Sequence, residues 1–221
     1  MPQQFHTITL ALPFRMGSVN CYLLQGDSGY LLIDCGASQG RKLLLQELER
    51  FGCQPGELKL VVLTHGDFDH SGNAAYLRQA YGAKLAMHRD DAGMGKQGDM
   101  FVNRKQPNVL IRNLIPFFTG FGKAERFAPD ILLEDGDDLS PYWFDARILS
   151  IPGHSKGSLG ILTATGDLFC GDLLTNTDKP SLNSLIDDPV AAQASLHRLR
   201  SMGVKTVYPG HGSPFPMITL I

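Results

Sequence analysis

Short apolar runs and amphipathic segments alternate along the chain. In the first third, turn-forming residues separate three apolar runs, FHTITLAL, NCYLLQ and YLLID, and this pattern predicts a meander of β-strands. The next segment, SQGRKLLLQELERFG, has helical spacing and ends at a glycine. Its apolar face comprises Leu44, Leu45, Leu48 and Phe51.

A similar order of elements returns further along the chain. The run LKLVVLTH is typical of a buried strand, and a short helix at 73–81 and a strand at AKLAMH follow it. The second half predicts a helix at PVAAQASLHRLRSMG and strands at ARILSIPGH, LGILTA, LFCGD and TVYPGH. Strands that are separated by helices indicate sheets covered by helices, so we expect an α/β fold. We find no linker and predict one domain over residues 1–221.

Residues 92–129 form the irregular part of the sequence, with several glycines and apolar patches such as IPFFTGF. A segment of this length without clear periodicity is usually functional or disordered, and the apolar content argues against disorder. We therefore predict a lid-like, substrate-binding insertion, with a plain structural excursion as the alternative. Its basic side chains suit either an anionic substrate or a solvated surface; they are Lys96, Arg104, Lys105, Arg112, Lys123 and Arg126.

Composition excludes several classes of function. A net charge of -2 with scattered basic residues gives no electrostatic footprint for nucleic acid or an anionic membrane. No apolar run approaches the roughly 18–20 residues that span a bilayer, and the N-terminus is a poor signal peptide, so we expect a cytoplasmic protein. The cysteines are far apart, which predicts reduced and buried thiols, with a redox or ligand role as the alternative. They are Cys21, Cys35, Cys53 and Cys170.

Metal-ligating residue types follow several of the predicted strands. The stretch THGDFDH supplies His65, Asp67, Asp69 and His70 within six residues, and by itself it would also suit a capped helix start with solvated charges. Three further strand ends carry a ligand type beside a glycine: His154, Asp172 and His211. Imidazole and carboxylate groups together suit zinc, iron or manganese. Seven such residues are about enough for two metal ions.

Several motifs give the chain a resemblance to the metallo-β-lactamase-fold superfamily over nearly its whole length. They are NCYLL at 20–24, LIDCG at 32–36, THGDFDH at 64–70, PGHSKGS at 152–158, GD at 171–172 and PGH at 209–211. The resemblance implies an αββα sandwich of two mixed β-sheets flanked by helices, with a dinuclear metal site at one edge. It also implies that His65, Asp67 and His154 hold one metal, that Asp69, His70 and His211 hold the other, and that Asp172 bridges them. Asp34 falls where the family often has a carboxylate that orients the ligands, and a plain turn cap is the alternative.

Asp67 departs from the family pattern, because the chain reads H-x-D-x-D-H where H-x-H-x-D-H is usual. A carboxylate adds a negative charge and shifts the ligand set towards oxygen, which favours iron or manganese over zinc. The flavodiiron branch of the superfamily carries a glutamate at this position and uses iron. We expect two divalent ions, with zinc as the first candidate and iron or manganese as plausible alternatives.

The resemblance implies a metal-dependent hydrolase in which a hydroxide bridging the metals attacks an ester, thioester, lactone or phosphoester. Asp69 is the candidate for orienting the nucleophile or passing a proton to the leaving group. NCYLL and PGHSKGS are most similar to the glyoxalase II-like branch, which cleaves thioesters. The alternatives are a non-haem iron oxidoreductase on the same fold and a non-catalytic metal-binding protein. We expect a small-molecule substrate, while the oligomeric state stays open.

Overall fold

Two mixed β-sheets face each other in a computed structural model that describes residues 4–104 and 122–220. The first sheet contains β1 (Gln4–Ala11), β2 (Ser18–Gly26), β3 (Gly29–Ile33), β4 (Leu58–Val62), β5 (Lys84–His88) and β6 (Ile131–Leu133), in that spatial order. Strands β1 to β3 are antiparallel, as the predicted meander requires. Strands β3 to β6 are parallel, because helices and longer connections carry the chain back between them.

The second sheet contains β7 (Ala146–Ser150), β8 (Leu159–Thr163), β9 (Asp167–Gly171), β12 (Thr206–Pro209) and β13 (Phe215–Pro216). Their spatial order is β13-β12-β9-β8-β7. Strand β12 runs parallel to β9, whereas the other pairs are antiparallel. A small hairpin of β10 (Leu174–Thr175) and β11 (Ser181–Leu182) follows β9 and leads towards the last helix.

Helices cover the outer face of each sheet. They are α1 (Arg41–Arg50), α2 (Phe68–Ser71), α3 (Ala74–Tyr81), α4 (Ala92–Gln97) and α5 (Pro189–Ser201). Leu44 and Leu48 of α1 are buried against the first sheet, as their helical spacing predicts, and Leu199 of α5 is buried against the second. Side chains from both sheets, among them Ile33 and Phe169, form the core between them. The expected αββα sandwich is therefore confirmed.

Some elements differ from the sequence predictions. Helix α4 lies inside the segment predicted to be irregular. Two of its six residues are glycines, Gly93 and Gly95, and Gly98 follows as the C-cap, so the sequence shows no helical period. Strands β10, β11 and β13 have two residues each, which is too short to show any period. Residues 105–121 of the predicted insertion lie outside the described residues. The lid assignment for 92–129 and the single domain over 1–221 therefore stay predictions.

Two further expectations concern buried and apolar residues. All four cysteines are buried with free thiols, and burial raises the pKa of Cys35 and Cys170, so both thiols stay protonated. Among the described residues, no helix has the length and apolar character that crossing a bilayer requires.

Candidate metal centre

The C-terminal ends of strands deliver all seven predicted ligands to one edge of the sandwich. His65 follows β4, His154 follows β7, and His211 follows β12. Asp172 comes directly after β9. The remaining three lie at the start of α2, where the chain turns just after β4; they are Asp67, Asp69 and His70. The structure thus brings the predicted residues together, and their role as metal ligands stays a prediction.

The seven side chains divide into two neighbouring groups. We call Asp69, His70 and His211 site 2, because one ligand atom from each lies within 4.8 Å of the other two. The His211 Nε2 atom is 3.4 Å and the His70 Nε2 atom 3.9 Å from the same oxygen of Asp69. This spacing leaves room for one ion among three donor atoms.

Site 1 comprises His65, Asp67 and His154. The Oδ2 atom of Asp67 lies 3.1 Å from His154 Nε2 and 3.6 Å from His65 Nε2. The other oxygen of Asp67 accepts a hydrogen bond from Arg104 at 2.6 Å. The predicted replacement of histidine by aspartate therefore comes with a buried guanidinium that the sequence did not reveal.

Asp172 lies between the two sites. Its two oxygens are each 3.2 Å from a histidine of site 2, Oδ1 from His70 and Oδ2 from His211. A ligand atom of Asp172 also lies within 4.8 Å of His65 and His154. The carboxylate is thus placed to contact an ion in either site, as the resemblance implied for a bridging residue.

The four histidines are fixed with Nε2 towards the centre, because a protein oxygen lies within hydrogen-bond distance of each Nδ1. His70 Nδ1 donates to Asp34 at 2.8 Å, while His154 and His211 donate to the carbonyl oxygens of Leu185 at 2.5 Å and Ser18 at 2.6 Å. His65 Nδ1 lies 3.0 Å from the Thr64 hydroxyl, which gives its own proton to Asp34. When such an imidazole is neutral, its proton stays on Nδ1 and the lone pair on Nε2 is available to a metal ion.

Three buried atoms of the centre make no hydrogen bond of good geometry within the described residues: His65 Nε2, His70 Nε2 and Asp172 Oδ1, the last two of which lie 3.2 Å apart. Leaving buried polar atoms without a partner is costly, so native proteins rarely do it without a reason. Two imidazole nitrogens and a carboxylate oxygen that converge without partners are the donor set that zinc, iron or manganese binds. The residues present therefore fit a metal centre.

Opposite charges lower the pKa of a carboxylate in the centre and raise the pKa values of two histidines beside it. Burial alone would raise the pKa of Asp172, but His70 and His211 hold it well below its usual range. Burial alone would likewise lower the pKa of His211, yet Asp172 and Asp69 raise it to about 10. The pKa of His70 is also raised, because Asp172, Asp34 and Asp69 outweigh its burial. Without metal, protons on these histidines balance the carboxylates.

Asp34 orients a histidine in each site, His70 directly and His65 through Thr64. It has a left-handed backbone with φ of 55°, an unusual conformation for a residue other than glycine, and its side chain is buried. One oxygen accepts from the Thr64 backbone N–H at 2.8 Å, and the other accepts from His70 Nδ1 and the Thr64 hydroxyl. The orienting role that the resemblance implied agrees with these contacts, and the turn-cap alternative does not explain them.

Sequence reasoning missed Asp91, which braces the loops of site 1. Asp91 is fully buried and accepts from the Gly66 N–H at 3.2 Å, the Ser155 hydroxyl at 2.7 Å and the Gly157 N–H at 2.9 Å. It therefore ties the loop that carries His65 and Asp67 to the loop that carries His154. The neighbouring Asp90 has the same local sequence signal, so only burial distinguishes the two.

Asn183 is a second residue that the sequence did not indicate. Its side-chain amide donates to Asp172 Oδ2 at 3.3 Å, and its side-chain oxygen accepts from the Leu185 N–H at 3.0 Å. The Leu185 carbonyl in turn orients His154. Asn183 thus supports both Asp172 and, through Leu185, His154 of site 1. The hairpin of β10 and β11 separates Asn183 from Asp172 along the chain.

A family model described as the metallo-beta-lactamase superfamily matches residues 15–211. The chain belongs to this superfamily. Metallo-beta-lactamase domain-containing protein 1 of Rattus norvegicus is 31% identical over 93% of this chain and 70% of its own length. Hydroxyacylglutathione hydrolase GloC of Haemophilus influenzae is 28% identical over 76% of this chain and 75% of its own length.

Solved structures of the superfamily share the same fold. The structure of TTHA1623 in a di-iron-bound form superposes with a TM-score of 0.72, covers 97% of this chain and 96% of its own, and is 28% identical. The chain spans between 66% and 70% of the length of the mammalian relatives it matches. The superfamily to which the chain belongs is of hydrolase type, and its fold binds a dinuclear metal site.

Proposed function

We propose that the chain is a hydrolase that uses two divalent metal ions, held by the six residues of sites 1 and 2 and by Asp172 between them. The observation that carries the proposal is the convergence of unpartnered buried donor atoms on one centre, with every histidine oriented through Nδ1. Bound there, such ions would supply a hydroxide nucleophile at neutral pH and polarise the group under attack.

Asp69 is the candidate for proton transfer within this centre. Its side chain is 13% exposed and its Oδ2 atom lies 3.4 Å from His211 Nε2. Among the carboxylates of the centre, Asp34, Asp67 and Asp172 are the more deeply buried. We therefore assign Asp69 to orienting the nucleophile and passing a proton to the leaving group.

A cavity of about 390 Å³ opens beside site 1 and is the candidate substrate pocket. Asp67 and His154 line it together with apolar walls from two segments, Met100 and Phe101 on one side and Leu185 and Ile186 on the other. An apolar wall next to the donor atoms suits the acyl part of an ester, thioester or lactone. The relative named hydroxyacylglutathione hydrolase supports a thioester in particular.

A phosphoester fits this pocket less well. Binding phosphate requires a cation with free hydrogen-bonding capacity. Arg104 lines the cavity, but Asp67 and Asp187 already lie 2.6 Å and 2.7 Å from its nitrogens. Two other basic residues of the insertion, Lys105 and Arg112, lie outside the described residues. We therefore rank acyl substrates above phosphoesters and propose a small molecule with an acyl group.

The experiment combines metal content with a matched set of substrates. Protein purified without added metal is analysed by inductively coupled plasma mass spectrometry. It is then assayed on a para-nitrophenyl ester, on para-nitrophenyl phosphate, and on the para-nitrothiophenyl thioester of the same acyl group. We expect about two metal ions per chain and a preference for the acyl substrates. A metal-loaded protein that hydrolyses none of the acyl substrates, or that prefers the phosphomonoester, would contradict the proposal.

Zinc is the proposed metal, and a di-iron centre is the second candidate. Two observations favour iron: the carboxylate of Asp67 in site 1, and the di-iron form of TTHA1623, which matches nearly the full length of this chain. Iron in the purified protein, together with consumption of oxygen during turnover of a reductant, would support the oxidoreductase alternative and displace hydrolysis.

A further inference from the structure

Arg104 is a buried cation at the edge of site 1. Its side chain is 7% exposed, and Asp67, with which it pairs, is 8% exposed. Burying a guanidinium and a carboxylate removes both from water, so proteins keep such pairs only where each partner neutralises the other. The contact joins two segments that are 37 residues apart, the insertion and the H-x-D-x-D-H motif.

The two oxygens of Asp67 have different partners. Oδ1 accepts from Arg104 Nη1 at 2.6 Å, whereas Oδ2 lies against His154 and His65. The guanidinium therefore holds the carboxylate by one oxygen and leaves the other facing the donor atoms of site 1. A neutral histidine at position 67 would have no negative charge to offer Arg104.

Arg104 also reaches a third segment. Its Nε atom lies 2.7 Å from Asp187 Oδ2, and the Asp187 N–H donates to the Gly153 carbonyl at 2.9 Å, next to His154. The guanidinium thus lies at the junction of the insertion, the motif and the segment before α5. These segments form the walls of the cavity beside site 1.

We propose that Arg104 is a positioning residue, the counterion that allows a carboxylate to serve at position 67 and that fixes the insertion to site 1. Asp67 and Arg104 act as a neutral pair that takes the place of one neutral ligand. This inference rests on the proposed function for the presence of metal in site 1, but the pairing itself is a property of the metal-free chain.

The test is a double-mutant cycle over the wild type, Arg104→Gln, Asp67→His and the Asp67→His/Arg104→Gln double variant. Thermal unfolding is measured on chelator-treated protein, and metal affinity is measured by competition with a chromophoric chelator. Arg104→Gln leaves Asp67 without its counterion, and Asp67→His leaves Arg104 with only the partly exposed Asp187, so we expect Tm to fall by about 6 °C or more in each. The double variant removes both charges and should unfold at least about 4 °C above either single variant.

Metal affinity provides the second readout. Either single change should weaken metal binding in site 1 by about 10–100-fold. In Arg104→Gln, the Asp67 carboxylate is no longer held, and in Asp67→His, the charge of Arg104 stays beside the metal. In the double variant, the imidazole introduced at position 67 can ligate without the charge of Arg104 beside the metal, and affinity should exceed that of both single variants. Arg104→Gln is therefore harmful beside the native Asp67 and beneficial in the Asp67→His background, a change of sign that a merely structural role would not produce.

Two further variants complete the design. Asp67→Asn/Arg104→Gln, with its single variants, repeats the cycle with a side chain of nearly unchanged shape if Asp67→His does not fold. Arg198→Gln is the matched control, since the side chains of its ion pair with Asp135 are 39% and 45% exposed, and Tm should change by no more than about 3 °C.

The outcomes separate the inference from the proposed function. Additive Tm changes in both cycles would overturn the counterion role, even if the enzyme binds metal and hydrolyses its substrate. Strong coupling in Tm with no metal bound in any variant would uphold the pairing and overturn the proposed function alone.

Discussion

Sites 1 and 2 contain similar donor atoms but are held by different parts of the molecule. In site 2, His70 donates to Asp34 and His211 donates to the Ser18 carbonyl, and both partners lie at the ends of strands in the first sheet. In site 1, Asp67 is held by Arg104 from the insertion, and His154 by the Leu185 carbonyl. Site 2 thus depends on the first sheet, whereas Asp67 and His154 of site 1 depend on segments outside the sheets. The third residue of site 1, His65, is held from the first sheet through Thr64 and Asp34.

The cavity beside site 1 follows the same division. Its walls come from the two segments that hold Asp67 and His154, residues 100–104 and 184–187. A change in those segments alters the pocket and the ligands together, while the sheets and site 2 stay as they are. If the cavity is the substrate pocket proposed above, substrate specificity depends on the segments outside the sheets.

The largest expected effect comes from the residue that both sites share. Asp172→Ala removes the carboxylate between them, so both ions should bind more weakly and hydrolysis should fall by at least about 100-fold. His65→Ala, which removes one candidate ligand from site 1, should abolish most activity while sparing the ion in site 2. Metal content and initial rates are the measurements, with circular dichroism to verify folding. Wild-type rates in Asp172→Ala would rule out the shared role.

A smaller but comparable effect is expected from Gly210→Ala. A Cβ atom at position 210 would lie 2.3 Å from Asp172 Oδ1 and 2.7 Å from His70 Cε1, so one of them must move. We expect metal affinity to fall by roughly 10–100-fold, mainly at site 2. Gly40→Ala is the control, because its Cβ would meet Leu10 only at 3.6 Å. Equal affinities in the two variants would show that the centre tolerates the displacement.

Asp34→Asn and Asp91→Asn compare the supports of the two sites directly. An amide at position 34 keeps only one acceptor oxygen, so it cannot accept all three hydrogen bonds that Asp34 accepts from His70, the Thr64 hydroxyl and the Thr64 N–H. We therefore expect about tenfold weaker binding at site 2. Asp91 contacts loop atoms and Ser155 but no ligand side chain among the contacts described, so its variant should lose less than about threefold in affinity. Calorimetric titration of each variant with zinc distinguishes these effects. A larger loss in Asp91→Asn would reverse the ranking.

The smallest expected effect concerns the stability of the metal-free protein against pH. The pKa of His211 is raised to about 10 in the folded chain, so the stability it contributes is fully present below its unfolded value near 6.5. That stability is lost as pH rises towards 10. We expect Tm of the chelator-treated protein to fall across this range, and less so with two equivalents of zinc, since the metal replaces the proton.

Differential scanning calorimetry at about pH 6, 8 and 10 checks this expectation. His211→Gln should make the metal-free profile shallower. An identical decline with and without zinc would show that the histidines of the centre do not exchange protons for metal.

Much of the fold and of the site could be predicted from the sequence. The alternation of apolar runs with helical spacing indicated the strands of the meander and helices α1, α3 and α5, because burial imposes a local period on each element. The motifs at strand ends supplied all seven candidate ligands, since the residue types that bind metal are few. Short elements escaped prediction, because two residues carry no period.

Only the tertiary structure decided which of these residues support one another. Arg104 is one of six basic residues in the insertion, and its contact with Asp67 across 37 residues has no local signal. Asp91 and Asp90 are adjacent and chemically identical, yet only Asp91 is buried and accepts from Ser155, 64 residues away. Local patterns record whether a position is buried, whereas pairing between distant segments depends on how the layers pack. The sequence by itself therefore determined the sandwich and the ligand types, and the packing decided how each ligand is held.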